Sequence, residues 1–254
     1  MFIPLHDKND LKRIKLQYVT LALIAANVLV FLAVNVVGGA GYLEGVVVQL
    51  GYIPAVVNDF EELPQNLVLI PEELSLISYA FLHADFMHLA SNMIFLWVFG
   101  DNIEDALGHV RYPIFYLLCA ALGGLAHGLV DPGSQAPLIG ASGAVAGIIG
   151  AYLMLHPKVR IWVLVLMRIP LPLPAWIPLI GWIGFQFFMF VTAGDELVSW
   201  AAHIGGFFAG VVLVVIMKRR DVLLFDRVVE TPKAVIRSAP TGPRVKKENR
   251  AWGR

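Results

Sequence analysis

Long uninterrupted apolar runs dominate this chain. A helix needs about 20 largely apolar residues to cross ~30 Å of hydrocarbon. Tyr18–Val37 is such a run and carries no charge. Further runs lie at Phe86–Phe99, continuing to about Leu107, and at Pro113–Val130, Leu138–Leu155, Ala175–Ala193 and Val198–Met217. Val159–Pro174 is also apolar, but Pro170, Pro172 and Pro174 stand at every second position. Prolines so spaced cannot continue a helix, so this piece reads as an interfacial loop. The first loop, 38–85, is long for a connector. Its apolar stretches Val46–Leu50 and Leu67–Ile70 predict a folded, partly interfacial element.

The predicted fold is an all-α membrane protein. It is a six-transmembrane-helix bundle with a long, partly interfacial first loop and a short fourth helix that starts inside the bilayer. The chain divides into an N-terminal segment 1–17, a membrane domain 18–217 and a basic tail 218–254. The tail has Pro232, Pro240 and Pro243 and no helical periodicity after about Val229, and is expected to be disordered.

Composition sharpens this reading. Hydrophobic residues make up 58% of the chain and charged residues 15%, against about 25% charged in soluble domains. A soluble globular protein lacks its charged skin here. A disulfide-built domain is excluded, because the only cysteine is Cys119, which reads as a small apolar residue. The net charge is zero, yet the 19 basic residues are unevenly placed: four in residues 8–15, Arg111, three in 158–168, and eleven from Lys218 onward. With both termini cytoplasmic, every one falls in an inside segment, as the positive-inside rule requires. A 20-residue first run is longer than a signal-peptide core, and more spans follow it. The expected location is the bacterial inner membrane. No internal repeat is visible, which weakens a transporter reading.

Polar residues within spans are costly, so each is a functional hypothesis. His83, His88, His127 and His203 map to outer-half positions, Asn92 follows His88 by one turn, and Ser142 opens the fourth span. From Ser142 to Leu155 a helix extends only ~20 Å. The backbone at Gly140 and Ala141 is then non-helical at membrane depth, which is tolerated where it is buried in protein or lines a wet cavity. Gly143, Gly147, Gly150 and Ala151 form one small-residue face; Ala202, Gly206 and Gly210 form another. Pairing these faces would bring Ser142 near His203. A serine needs a base to take its proton, and neutral imidazole serves near pH 7. His88, Asn92 and the Ser142 backbone N–H are candidate oxyanion donors. No intramembrane carboxylate stands at this depth, so the reading is a Ser–His dyad. The histidines lack an HExxH pattern and an accompanying carboxylate, so neither a metal nor a cofactor is implied. The spacing is not GxSxG and no strand precedes it, which excludes an α/β-hydrolase. His127 reads as structural. Asp101, Glu104 and Asp105 read as a solvated end of the second span.

Gly140-Ala141-Ser142-Gly143, Ala202-His203-Ile204-Gly205-Gly206 and His83 followed by His88-Leu89-Ala90-Ser91-Asn92 together resemble the rhomboid intramembrane serine proteases. Phe99–Asp105 is similar to the family's segment at the end of the second span, and the resemblance covers roughly residues 15–218. It implies Ser142 as nucleophile, His203 as general base and acid, and His88 and Asn92 as oxyanion stabilisers. It places His83, Gly140 and Gly143 near the site, and makes the fifth span a lateral gate. The implied partners are a transmembrane protein substrate and the lipid bilayer, with no nucleic acid. Two positions depart from the family pattern. The first loop has neither Arg nor Trp, and Ala146 stands where some members have a Tyr beneath the histidine. What orients His203 is then open. The rival readings are a non-catalytic member that binds transmembrane clients, and a small transporter or channel.

Overall fold

The computed structural model describes residues 2–39, 41–165, 168–192 and 197–225. Each of the six apolar runs carries a long helix among the described residues. They form α1 (Tyr18–Phe31, continued by a π-helical stretch Leu32–Val37), α5 (Phe86–Leu107), α6 (Arg111–Val130), α7 (Ser142–Leu155), α8 (Trp176–Thr192) and α9 (Leu197–Met217). The first loop folds as α2 (Tyr42–Leu50), α3 (Pro54–Val57), α4 (Ser75–Ser78) and two single 3₁₀ turns. Among the described residues, three helices are long and apolar enough to cross a membrane: Tyr18–Val37, Arg111–Val130 and Trp200–Met217. The core runs between α5, α6, α7 and α9, where Phe99, Tyr112, Phe115, Tyr116, Ile148 and Tyr152 are fully buried.

The expectation of an all-α chain fails at the N-terminal end. There β1 (Phe2–Asp7), β2 (Arg160–Val165) and β3 (Ile169–Pro174) form an antiparallel sheet in the order β1-β2-β3. The prolines explain why β3 is a strand and why it lies at the edge. Pro170, Pro172 and Pro174 face Leu164, Trp162 and Arg160 across the ladder, in alternation with the pairs Ile169–Val165, Leu171–Val163 and Leu173–Ile161. Only alternate residues donate toward a given neighbour. Those at 169, 171 and 173 can serve β2, and the proline nitrogens fall on the free edge, where no donor is needed. An edge without N–H groups does not template further pairing.

Buried carboxylates tie the N-terminal segment to α5. Glu104 and Asp105 are both buried, so the expectation of a solvated acidic end fails for both. Gln17, before α1, makes no side-chain cap. Glu104 supplies one instead. Its oxygens accept from the Val19 N–H at 3.0 Å, the Thr20 N–H at 2.8 Å and the Thr20 hydroxyl at 2.7 Å. Nδ1 of His109 lies 2.6 Å from the same carboxylate. A carboxylate at a helix N-terminus meets orphan donors and the positive end of the dipole together. Asp105 accepts from the Arg13 and Ile14 N–H groups at 2.5 and 2.8 Å. Asp7 is buried and accepts from the Tyr152 hydroxyl at 2.6 Å and Asn102 Nδ2 at 3.0 Å. Part of the expected tail packs here too: the Arg219 N–H donates to Ala106 O and the Phe225 N–H to Met154 O. Residues 226–254, the rest of that tail, lie outside the described residues.

Glu104→Ala is expected to destabilise the protein by about 3 kcal/mol, because it orphans buried donors. Exposed Glu61→Ala should cost less than about 0.5 kcal/mol; equal melts in detergent for the two variants would contradict the cap. Burial holds the Asp7 carboxyl above its ordinary value of 3.8, and the Tyr152 hydroxyl partly opposes this. The folded state therefore binds that proton more tightly than the unfolded chain. The stability gained is present below the ordinary value and is lost as pH rises through the raised one. Asp7→Asn should thus gain on the wild type as pH rises between about 4 and 8, read by thermal melts across that range. Parallel curves would contradict it.

Candidate active site

Ser142 is the first residue of α7, a helix of 14 residues. At 1.5 Å per residue it is ~21 Å long, shorter than ~30 Å of hydrocarbon. The backbone before it bridges at Leu138 and then turns through Gly140 and Ala141, and the first loop meets its polar groups. Tyr52 and Leu138 exchange two backbone hydrogen bonds at 3.1 and 2.8 Å, and the Gly140 N–H donates to Tyr79 O at 3.0 Å. Gly140 has φ +118°, which only glycine adopts freely. A Cβ there would stand 2.5 Å from His88 Nε2. The turn into α7 therefore lies against the His88 ring.

His88 is set by a cap that sequence reasoning missed. Asp85 precedes α5, and its side chain accepts from the His88 N–H at 2.8 Å. An Asp before an apolar run is the signal that could have found it. One turn on, Asn92 is buried and its Nδ2 donates to His88 O at 3.0 Å. His83 is also buried, with its ring centroid 5.1 Å from that of His88.

The small faces of α7 and α9 do pair. A Cβ on Gly206 would lie 2.0 Å from the Gly143 carbonyl oxygen, and one on Gly210 would lie 1.9 Å from that of Gly147. No side chain fits between these backbones. As a result Ser142, His203 and Asn92 line one cavity of about 110 Å³, closed by Ser91, Phe95, Val145, Ile149 and Trp182. That is room for several water molecules. Ser142 and His203 are both half-buried. His88 does not line this cavity; it approaches through Gly140. His127 is buried against Tyr52, ring centroids 6.1 Å apart, away from the cavity. Among the described residues, no three of His, Cys, Asp or Glu are grouped to hold a metal ion.

Three further side chains surround His203, and the sequence reading had named none of them. Gln186 of α8 places Oε1 2.8 Å from His203 Nδ1. The Trp182 ring lies 5.9 Å from the imidazole, tilted by 35°, and the Trp200 ring lies 6.0 Å away, at 86°. Gln186 was legible by the rule that singled out the histidines, since it is an amide in an otherwise apolar span. The indoles carried no comparable signal. A hydroxyl, an imidazole and an amide in a half-closed apolar pocket suit attack on a carbonyl followed by proton transfer.

The sequence model of the Rhomboid domain matches residues 71–220, more than half of the chain. The chain is similar to "Rhomboid protein 1, mitochondrial" of Saccharomyces cerevisiae, 31% identical over 150 residues, which is 56% of this chain and 41% of the relative. It is similar to "Rhomboid-related protein 2" of Mus musculus, 33% identical over 147 residues, covering 53% and 44%. It is also similar to "Rhomboid protease GluP" of Bacillus subtilis, 30% identical over 134 residues, covering 53% and 24%. The chain thus spans less than half the length of these relatives. The first of these carries a mitochondrial name, and the expected bacterial inner membrane is not supported. The domain match, the apolar helices and these relatives together place the chain in the rhomboid family of membrane proteins.

Proposed function

We propose that this chain is an intramembrane serine endopeptidase, hydrolysing peptide bonds in or near transmembrane segments of membrane proteins. The observation that carries the reading is the single cavity shared by Ser142, His203 and Asn92. Similarity to a relative named "Rhomboid protease GluP" supports it.

In this reading Ser142 Oγ attacks the scissile carbonyl carbon while His203 Nε2 takes its proton. The oxyanion is met by the Ser142 N–H at the start of α7, where helix donors lack internal acceptors, and by Asn92 Nδ2, with His88 beside it. His203 returns the proton to the leaving amine, and an acyl-enzyme remains. A water, deprotonated by His203, then attacks the ester carbonyl; the C–Oγ bond breaks, His203 returns that proton to Ser142 Oγ, and the product carboxylate leaves. A helical scissile carbonyl is shielded by its own hydrogen bond, so the substrate segment must unwind first. The six apolar helices are read as the spans, α7 starting inside the bilayer, with both termini on the cytoplasmic side where the basic residues gather. The occupants of the site are a transmembrane protein segment and bilayer lipid.

Cleavage of a tagged single-pass protein co-expressed in membranes tests this. Ser142→Ala and His203→Ala are each expected to lower cleavage by about 10³-fold or more. Asn92→Ala should lower it by about 10²-fold, as for loss of one oxyanion donor. Unchanged cleavage in Ser142→Ala at equal expression would sink the assignment. No cleavage by any version, and no labelling of Ser142 by a fluorophosphonate, would favour a client-binding protein instead.

A further inference from the structure

We infer that Gln186 is the positioning residue of the dyad, its amide oxygen holding His203 in the Nδ1–H tautomer so that Nε2 keeps the lone pair that receives the Ser142 proton. The inference rests on the serine-protease reading and deepens it.

The hydrogen-bond network fixes the direction of every donor. Gln186 Nε2 lies 3.3 Å from the Trp182 carbonyl oxygen. A backbone carbonyl only accepts, so the NH₂ end of the amide must face it. The amide oxygen therefore faces His203 Nδ1, at 2.8 Å. That oxygen also only accepts, so Nδ1 must carry the hydrogen. A neutral imidazole has one N–H, and Nε2 is left bare. The opposite tautomer would present an N–H to Ser142 and could take no proton from it.

The surroundings offer no substitute. Ala146 gives the ring no hydroxyl to lean on. Trp182 and Trp200 pack against the imidazole, but an indole is a donor only. They restrict the ring plane without choosing the tautomer. Gln186 is 3% exposed, and the other buried residues of α8 are Pro178, Leu179 and Ile183. A buried amide in such a helix is costly unless satisfied, and its two ends meet the Trp182 carbonyl and His203. An uncharged amide also orients the ring without placing a second charge beside it.

The test uses full-length protein in detergent, labelled by a fluorophosphonate, with ¹⁵N-histidine spectra assigned by loss of the His203 signal in His203→Ala. Gln186→Met keeps the length and removes the acceptor. It is expected to melt as the wild type does but to label about tenfold more slowly, the worth of one buried hydrogen bond. Its His203 nitrogens should report mixed tautomers. Gln186→Glu, which restores an acceptor, should recover most of the rate. Wild-type labelling or an unmixed Nδ1–H tautomer in Gln186→Met overturns the inference. So does a rate loss that follows a lowered melting temperature and is not rescued by Glu. A wild type that labels no faster than Ser142→Ala overturns the protease reading itself, before Gln186 is in question.

Discussion

A methyl group on Gly206 would stand 2.0 Å from the Gly143 carbonyl oxygen, and the site depends on the approach that this bare backbone permits. In lipid, apolar side chains gain little by meeting one another, since the acyl chains are as apolar as they are. Close backbone contact and dispersion must hold the helices together. The α7–α9 contact does this through Gly143 against Gly206 and Gly147 against Gly210. Gly123 of α6 extends the same contact, since its Cβ would fall 2.9 Å from the Ala202 carbonyl oxygen. Any other residue type at these positions would push α9 away and carry His203 with it.

That contact sets the distance between two helices; polar anchors set their height. At the Ser142 end, the backbone groups of Tyr52 and Tyr79 meet those of Leu138 and Gly140, so the chain before α7 finds its hydrogen bonds inside the protein. At the other end, Glu104, Asp105 and Asp7 fasten the N-terminal segment to α5 and α7. Each buried carboxylate meets donors aimed at it, which is the condition for burying one at all. Against this braced frame α8 is lightly held. Four of its residues are buried, and the one polar member, Gln186, reaches His203.

Much of this was legible in the chain because membranes simplify the code. Six apolar runs gave six helices, and the glycine spacing gave the α7–α9 pairing. Ser142, Asn92 and His203 were singled out as polar groups at one depth, and they do share a cavity. The failures have distinct causes. Pro170, Pro172 and Pro174 exclude a helix, but the same spacing fits an edge strand; only its partners, β2 and the distant β1, distinguish a strand from a loop. Glu104 looked solvated because its partners, Val19 and Thr20, lie 85 and 84 residues away along the chain. The contact of His88 with Gly140 needed the fold to be seen, because it joins the start of α5, capped by Asp85, to a turn about 50 residues on. Gln186 is an amide in an apolar span, but its pairing with His203, 17 residues on, is set only by the packing of α8 on α9.

The most direct measurement is the rate of fluorophosphonate labelling of Ser142 in a graded series at Gly210, from Gly to Ala, Val and Leu. Gly210 lies ~10 Å along α9 from His203 and lines no part of the cavity. If helix approach aligns the pair, labelling falls with each added carbon in variants that still melt cooperatively, and Gly210→Leu is close to unlabelled. Wild-type labelling of a folded Gly210→Leu protein would contradict the account, because Ser142 and His203 would then meet without the contact said to join them.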